Sequence, residues 1–281
     1  MKLPFQIDLS GEVAVITGGG GVLCASFAKA VAACGAAVAV VDINEEAAKK
    51  VADEITADGG KAIPVAANCL EKASLEAAHA LVTDKLGACT ILINGAGGNN
   101  PRGTTDDEQY SPDVEGIKTF FDLDADGLKF VMDLNVTAAL LTTQVFAKDM
   151  AGKGKEGNIL NISSMNAFRP LTKIPAYSSA KAAVSNFTQW LAVYFAKAGI
   201  RVNAIAPGFF VTNQNRGLLF DADGNPTART EKILRSTPMG RFGEDKELLG
   251  TLLWLLSKEA SGFVTGIVVP VDGGFSAYSG V

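Results

Sequence analysis

The hydrophobic positions of the chain fall into short apolar runs separated by longer segments of helical periodicity. Residues 12–17 (EVAVIT) and 37–42 (AVAVVD) are apolar runs of strand length, and residues 22–34 between them carry apolar and small side chains at helical spacing. Strands that alternate with helices of this length indicate a parallel sheet covered by helices on both faces. The chain is therefore predicted to begin with a strand, a helix and a second parallel strand.

The same alternation continues to the end of the chain. Two long segments, residues 95–129 and 209–238, interrupt it and are predicted to be irregular. Such a segment in a compact domain is usually functional or mobile, and a disordered surface insertion is the alternative for the first one. The pattern predicts further helices over 45–58, 70–86, 126–150, 176–197 and 244–256, and further strands over 62–67, 90–94, 158–162, 201–206 and 267–271.

Four consecutive glycines, Gly18 to Gly21, follow the first predicted strand. They would let the backbone approach a pyrophosphate, and the helix after them would supply N–H groups and the positive end of its dipole. An acid, Asp42, ends the next strand, roughly 20 residues further on, as in dinucleotide-binding units. We therefore predict a single α/β domain over residues 1–281, a Rossmann-type doubly wound parallel sheet with helices on both faces.

Tyr177 and Lys181 are the candidate chemical groups. They stand four positions apart on the helix predicted over 176–197, so their side chains leave the same face one turn apart. An ammonium group beside a phenol favours the phenolate, and lowering the phenol's pKa from ~10 by about 3 units requires roughly 4 kcal/mol. Tyr177 is then able to exchange a proton near neutral pH. On the spacing alone, a surface tyrosine and a solvated lysine remain the alternative.

Composition limits the remaining possibilities. The net charge of −5, with no basic run, gives no electrostatic support for binding to nucleic acid or a membrane surface. The apolar runs are interpreted as strand length, and no signal peptide is expected. Four scattered cysteines (Cys24, Cys34, Cys69 and Cys89) fit reduced thiols in a cytoplasmic protein. The one histidine, His79, is expected to face solvent, so neither a metal site nor a histidine-based triad is predicted.

Several further motifs follow one another along the chain. They are Thr17-Gly18 with the glycines after it, Asn94-Gly95-Ala96-Gly97, Asn135, Ser164, Tyr177 with Lys181, Pro207-Gly208 with Thr212, and Val271-Asp272-Gly273-Gly274. In this order they resemble the motifs of the short-chain dehydrogenase/reductase family across nearly the whole chain. Within that family, segments 97–101, 121–124, 164–168, 207–216 and 274–278 resemble the subgroup described as D-mannonate oxidoreductase or fructuronate reductase.

Two parts of the sequence depart from the family pattern. Val22 and Cys24 stand where the second and third loop glycines are usual, so Gly21 is expected to take over the close approach to phosphate. Asn68 replaces an aspartate that is common near the adenine, and an amide can still donate and accept hydrogen bonds there. A plain turn residue at the end of a strand is the alternative for Asn68.

The resemblance implies reversible hydride transfer between a nicotinamide and a secondary alcohol or ketone. In reduction, Tyr177 would donate its proton to the carbonyl oxygen while Ser164 hydrogen-bonds the same oxygen. Lys181 would lower the pKa of Tyr177 and hold the cofactor ribose, and Asn135 would hold a water that links Lys181 to solvent. Purely structural roles for Asn135 and Ser164 are the alternatives.

Asp42 favours NAD(H) over NADP(H). Its carboxylate would meet the ribose hydroxyls and repel a 2′-phosphate by on the order of 1–4 kcal/mol, and no cation beside it, at Ile43 or Asn44, would offset this. The predicted cofactor-binding residues are Thr17, Gly18, Gly20, Gly21, Val22, Leu23, Asp42, Ile43, Asn68, Cys69, Asn94, Gly95, Ala96, Gly97, Tyr177, Lys181, Pro207, Gly208, Phe210 and Thr212.

A sugar-acid substrate needs at least one cation and several amide or hydroxyl partners. We expect one of Lys173, Arg169, Arg102 or Arg216 to pair with its carboxylate, although each taken singly is as well explained by a solvated surface charge. Two substrate loops are predicted, an insertion at about 98–126 and a second loop at about 208–243. The candidate substrate-binding residues are Asn99, Asn100, Arg102, Asn166, Arg169, Lys173, Asn213 and Arg216.

Alternative functions stay open at this point. The chain could act on another polyol, a gluconate-type keto acid or a 3-oxoacyl substrate, or it could be an NAD(H)-sensing protein without turnover. The predicted helices 126–150 and 176–197 carry apolar residues such as Phe187, Trp190, Val193 and Phe195. By analogy with the family they would pair copies into a homodimer or homotetramer, and burial in the chain's own core is the alternative.

Overall fold

Seven parallel strands form one sheet in the computed structural model, which describes residues 7–152, 156–212 and 215–280. The strand order is β3-β2-β1-β4-β5-β6-β7. Since this order reverses between β1 and β4, a crevice opens at their carboxyl ends. The predicted doubly wound α/β fold is confirmed. The strands are β1 (Val13–Thr17), β2 (Ala37–Asp42), β3 (Lys61–Ala66), β4 (Ile91–Asn94), β5 (Gly157–Ile162), β6 (Ile200–Pro207) and β7 (Val268–Val271).

Helices cover both faces of the sheet and bury two apolar layers against it. The central strand β1 is buried at all five positions, which is why it reads as a continuous apolar run, whereas the edge strand β7 is only partly buried. The helices are α1 (Val22–Ala33), α2 (Glu45–Ala57), α3 (Lys72–Lys85), α4 (Ala125–Met132), α5 (Ala138–Met150), α6 (Pro175–Phe195), α7 (Arg216–Leu219), α8 (Ala228–Ser236), α9 (Leu249–Leu256) and α10 (Lys258–Ser261).

The prediction that residues 209–238 are irregular is wrong, because the segment contains α7 and α8. Helix α8 begins after Thr227, whose side chain accepts a hydrogen bond from the Thr230 amide. It buries only Thr230 and Ile233, so its apolar face is too narrow to give a periodic signal in the sequence.

The helix predicted over residues 126–150 is continuous from Ala125 to Met150 but contains one π-helical turn, Asp133–Thr137. By length and composition alone this helix could cross a membrane, although charged and polar residues interrupt its apolar runs. Its most apolar stretch is 50% buried, and α5 packs on β4 and β5. Packing against the sheet therefore accounts for its apolar character.

The insertion after β4 is tied together by its own polar contacts. The Arg102 guanidinium lies 2.5 Å from the Asp124 carboxylate, and Lys118 Nζ donates to the Pro101 carbonyl at 2.6 Å. Thr119 and Asp122 form a reciprocal capping box around a short 3₁₀ turn. These contacts favour a structured loop over the alternative of a disordered insertion.

His79 does not face solvent as expected. Its Nε2 lies 2.9 Å from the Asp149 carboxylate on α5, and its ring meets Phe146 edge-on at 5.4 Å between centroids. Asp149 also accepts a hydrogen bond from the Cys89 amide at 2.9 Å. The histidine therefore joins α3 to α5 on one face of the sheet.

Arg201 should be a measurable source of stability. This half-buried guanidinium on β6 donates to the Leu255 carbonyl at 2.9 Å, the Ser261 hydroxyl at 3.1 Å and the Val264 carbonyl at 3.3 Å. Arg201→Met leaves these acceptors without their donor and should lower the free energy of unfolding by about 1–3 kcal/mol in urea denaturation. The exposed Lys49→Met is the control and should leave the midpoint unchanged. Equal effects of the two substitutions would contradict this role.

Candidate active site

A cavity of about 510 Å³ opens at the carboxyl ends of the central strands. Its position is the one where sheets of this type bind ligands. It is lined by Gly18, Gly20, Gly21, Val22, Leu23, Cys24, Asp42, Ile43, Ala67, Asn68, Cys69, Leu70, Gly95, Ala96, Gly97, Gly98, Leu134, Ile162, Ser163, Ser164, Tyr177, Lys181, Pro207, Gly208, Phe210, Thr212 and Asn215.

The glycine turn after β1 is shaped by close backbone contacts. Gly18 has a φ of +64°, in the left-handed region that favours glycine. A Cβ added to Gly20 would lie 2.6 Å from the Ala47 Cβ and 3.1 Å from Asp42 Oδ2. These two positions therefore need glycine, and the turn brings bare backbone to the floor of the cavity.

Cys24 fills space that Gly95 leaves open on the neighbouring strand. A Cβ added to Gly95 would lie 2.2 Å from the Cys24 Sγ, and the thiol is almost completely buried, which raises its pKa to about 12. The cysteine that departs from the family pattern thus occupies the space beside Gly95, the residue directly after β4, where a side chain would not fit. It lines the cavity as a small, uncharged group at neutral pH.

Asp42 is held rigidly at the rim of the cavity. Its Oδ2 accepts a hydrogen bond from the Gly20 amide at 3.0 Å, and its Oδ1 accepts one from the Asn44 amide at 2.9 Å. The same carboxylate therefore fixes the glycine turn and presents a negative charge beside Ile43 on the cavity wall.

Two of the predicted cofactor residues lie behind the wall of the cavity. Thr17 Oγ1 accepts from the Gly95 amide at 3.1 Å, and the Asn94 amide donates to Thr143 Oγ1 and Asn161 Oδ1 at 3.0 and 2.8 Å. Both side chains are buried. They position the strand end that lines the cavity, rather than lining it themselves.

Ser164, Tyr177 and Lys181 come together at one end of the cavity. Ser164 ends the segment after β5, while Tyr177 and Lys181 stand on successive turns of α6. The Ser164 Oγ accepts from the Asn166 amide at 3.3 Å, and the Ser164 hydroxyl lies near enough to the Tyr177 phenol to act against the rise in its pKa that burial causes. Lys181 Nζ donates to the Ile162 carbonyl at 2.8 Å and lies 5.6 Å from the centre of the Tyr177 ring.

Asn135 lies in the π-helical turn and shapes the loop beside Lys181. Its amide nitrogen donates to the Gly98 and Val131 carbonyls at 2.7 and 2.8 Å, and its Oδ1 accepts from the Gly98 amide at 3.2 Å. A Cβ added to Gly97 would lie 2.6 Å from Asn135 Oδ1 and 3.2 Å from Lys181 Nζ. Both amide N–H groups of Asn135 are used in these bonds, so the contacts here make it a positioning residue.

The direction of the pKa shift at Tyr177 differs from the prediction. Burial raises the pKa of Tyr177, and the hydrogen bond with Ser164 only partly opposes this. Burial also lowers the pKa of Lys181 to about 8. The lysine bonds a backbone carbonyl and lies over the ring, so the expected lowering of the phenol's pKa by its charge is not found. At neutral pH Tyr177 therefore carries its proton, which is the form that can donate one.

Among the residues that the structure describes, none of the predicted substrate residues lines the cavity. Asn99 donates to Thr104 Oγ1 at 3.1 Å, and Asn100 caps the 3₁₀ turn Pro101–Gly103. Asn166 is buried behind Ser164. Asn213 lies outside the described residues.

The four candidate cations have different surroundings. Arg102 is paired with Asp124, the Arg169 Nε donates to the Ser276 carbonyl at 3.2 Å, and the Arg216 guanidinium lies 5.8 Å from the Phe220 ring centre. Lys173 is half-buried and has a left-handed backbone with a φ of +72°. The loops that carry Arg102 and Arg216 are linked by an ion pair of 2.6 Å between Glu108 and Lys232.

Sequence reasoning missed several residues of the cavity wall. Asn215 could have been found, because an asparagine shortly after a proline–glycine turn can bond the backbone around it. Here it accepts from the Thr212 amide and donates to the Phe210 carbonyl, both at 2.8 Å. The others gave no separate signal as site residues: Cys24, Ala67, Leu70, Gly98, Leu134, Ile162 and Ser163.

Within the described ranges, no group of three His, Cys, Asp or Glu side chains is placed to hold a metal ion.

Comparisons with known proteins agree with this geometry. An uncharacterized oxidoreductase of Haemophilus influenzae is 59% identical over 100% of this chain and 99% of its own length. The uncharacterized oxidoreductase UxuB of Bacillus subtilis is 52% identical over 99% of this chain and 100% of its own. A solved structure from Haemophilus influenzae with bound NAD, provisionally named a D-mannonate oxidoreductase, covers 100% of both chains with 58% identity and a TM-score of 0.94.

The family model described as short chain dehydrogenase matches residues 12–221, which include the glycine turn, Asp42 and the Ser164, Tyr177 and Lys181 group. With these matches and the seven-stranded parallel sheet, the chain belongs to the short-chain dehydrogenase/reductase family.

Proposed function

We propose that the protein is an NAD(H)-dependent oxidoreductase that interconverts a sugar-acid secondary alcohol and its ketone, with D-mannonate and D-fructuronate as the favoured pair. The observation that carries the proposal is the grouping of Ser164, Tyr177 and Lys181 at the end of a crevice floored by glycine backbone. The full-length similarity to the Haemophilus protein supports the choice of substrate.

A dinucleotide fits the residues present in this crevice. At one end Gly18 and Gly20 leave no room for a Cβ, so backbone N–H groups can approach a pyrophosphate. Asp42 at the rim would hold the adenosine ribose, and Lys181 with the 207–212 segment would hold the nicotinamide end. Once bound, the nicotinamide supplies or accepts the hydride.

Tyr177 would act as the proton donor when a ketone is reduced. Its raised pKa keeps the phenol protonated at neutral pH until negative charge develops on the substrate oxygen. The Ser164 hydroxyl, which partly offsets this rise in the pKa of Tyr177, would donate its proton to the substrate oxygen when a substrate is bound. Asn135 would hold the loop at Gly98 in place, and Lys181 would hold the cofactor ribose. A water near Asn135 could relay the proton.

The preference for NAD(H) would rest on Asp42. Its two oxygens already accept backbone N–H groups, so the carboxylate cannot swing away from an incoming phosphate without breaking those bonds. A second negative charge at this point would be repelled by on the order of 1–4 kcal/mol.

The proposal also covers the oligomeric state of the enzyme and the cellular compartment in which it works. On α6, Trp190, Val193 and Tyr194 are more than half exposed, and Trp190 stacks on Tyr194 at 4.9 Å between ring centres. Phe187 and Phe195 instead pack partly into the core. We assign the exposed aromatic strip to a homodimer or homotetramer interface and the enzyme to the cytoplasm.

Tyr177→Phe tests the reaction and the role of the phenol together. Wild-type protein with NADH should reduce at least one of D-fructuronate, D-tagaturonate and 5-ketogluconate, followed by nicotinamide absorbance. The variant should lose about 10²–10⁴-fold in kcat and still bind NADH. Full turnover by the variant would refute the role of Tyr177. Tight NADH binding without turnover of any acid, neutral ketone or 3-oxoacyl compound would favour a sensor.

Asp42→Asn tests the cofactor preference. The single amide oxygen can still accept the Gly20 N–H, although the bond from the Asn44 N–H is then lost, so the glycine turn should persist while the negative charge is removed. Wild-type kcat/KM should favour NADH, and the variant should reduce the NADH/NADPH ratio by about 10-fold, the equivalent of about 1.4 kcal/mol. Asp53→Asn, an exposed acid on α2, is the control. A wild-type preference for NADPH would overturn the assignment.

Trp190→Glu tests the proposed interface. A charge placed on the exposed strip of α6 should shift the mass in solution toward the monomer, as measured by analytical ultracentrifugation. Gln189→Glu, on an exposed adjacent position of the same helix, should leave the mass unchanged. A wild-type protein that sediments as a monomer would remove the interface from the proposal.

A further inference from the structure

We propose that Lys173 is the residue that selects an acidic substrate, by binding the carboxylate of the sugar acid whose carbonyl oxygen meets Tyr177. This inference rests on the proposed function and assigns it a specificity-determining residue. It is carried by the backbone conformation of Lys173, by its place at the start of the catalytic helix, and by the distribution of charge around it.

The backbone of Lys173 is held in a conformation that suits a different residue. Its φ of +72° makes it the one non-glycine residue with positive φ among those the structure describes. The left-handed region favours glycine, and asparagine after it, because an L side chain crowds the following carbonyl there. A lysine kept at such a position is more readily explained by the use of its side chain than by the conformation of the loop.

Neighbouring contacts hold this conformation from both sides. The Thr105 amide, in the insertion after β4, donates to the Lys173 carbonyl at 2.9 Å. The next residue, Ile174, is buried, and its carbonyl accepts from the Ser178 amide at 3.1 Å as α6 begins. The conformation is therefore imposed by packing between the insertion and the catalytic helix.

Lys173 precedes Tyr177 by four positions in the chain, and its side chain does not line the cavity. It comes just before Pro175, the first residue of α6, and Tyr177 is in the first turn of that helix. One helical turn rises about 5.4 Å, which a lysine side chain can span. A carboxylate in this position would also gain from the positive end of the helix dipole.

Three cations of the two substrate loops are already engaged. Arg102 is paired with Asp124, Lys118 donates to the Pro101 carbonyl, and Lys232 is paired with Glu108 at 2.6 Å. Lys173 and Arg229 both add to the positive potential at Glu108, whose pKa is lowered first of all by Lys232. Within the described ranges no carboxylate lies within 4.0 Å of the Lys173 Nζ, so its charge is available to a substrate.

A pair of substitutions separates the charge of Lys173 from its backbone strain. Lys173→Met removes the charge and keeps a side chain in the left-handed region, whereas Lys173→Gly removes both. Each should raise KM for the keto-uronate at least 10-fold and change kcat less than 3-fold. Only Lys173→Gly should raise the melting temperature, by about 2 °C. Lys173→Arg should keep KM within 3-fold of wild type.

The matched substrate is the methyl ester of the same keto-uronate, which keeps the carbon skeleton and lacks the charge. KM for the ester should change less than 2-fold in every Lys173 variant, and Lys129→Gln, an exposed lysine on α4, should leave KM for both compounds unchanged.

These measurements distinguish a failure of the Lys173 assignment from a failure of the proposed function. If wild type reduces the acid but Lys173→Met raises KM equally for acid and ester, or leaves both unchanged, Lys173 has no part in recognising the carboxylate. A fall in melting temperature for Lys173→Gly, with both KM values altered, would identify a structural residue. If wild type reduces neutral ketones or 3-oxoacyl compounds and no sugar acid, the proposed function itself is refuted, and the assignment of Lys173 with it.

Discussion

The close approach of backbone and side chains at Gly97 is the constraint on which the site depends. At this one point the loop after β4 meets the amide of Asn135 and the ammonium group of Lys181, and a single added carbon would clash with the Asn135 oxygen and crowd the lysine. The loop, the π-helical turn and α6 are therefore placed relative to one another by contact. The hydrogen bonds of Asn135 to both backbone groups of Gly98 close the arrangement.

The same constraint explains why Lys181 influences the site mainly through position. Burial and the bond to the Ile162 carbonyl fix its Nζ beneath the loop, and the lysine reaches the ring of Tyr177 instead of its hydroxyl. Desolvation then dominates the titration of both groups, raising the pKa of the phenol and lowering that of the amine. A phenol that retains its proton suits the reductive direction, in which it is the donor.

Local sequence signals predicted the first half of the fold well because each strand and helix there has its own clear hydrophobic pattern. The strand predicted over 37–42 is found as Ala37–Asp42, and the helix after the glycine turn begins at Val22 as expected. Features that depend on partners distant in sequence could not be predicted. The π-helical turn around Asn135, the pairing of His79 with Asp149 and the matching of Cys24 to Gly95 each follow from contacts between elements. The short helices α7 and α8 were missed because they bury too little apolar surface to produce a period.

The ion pair between Glu108 and Lys232 has a consequence for how the protein can evolve. It joins the insertion after β4 to α8, two segments more than 100 positions apart in the chain. Movement of one segment away from the other would separate these exposed charges, so the ion pair favours joint movement of the two segments. Sequence change at one end of the ion pair is therefore restrained by the other end. Relatives that reverse the charge at Glu108 are expected to reverse the charge at Lys232 as well, and the converse.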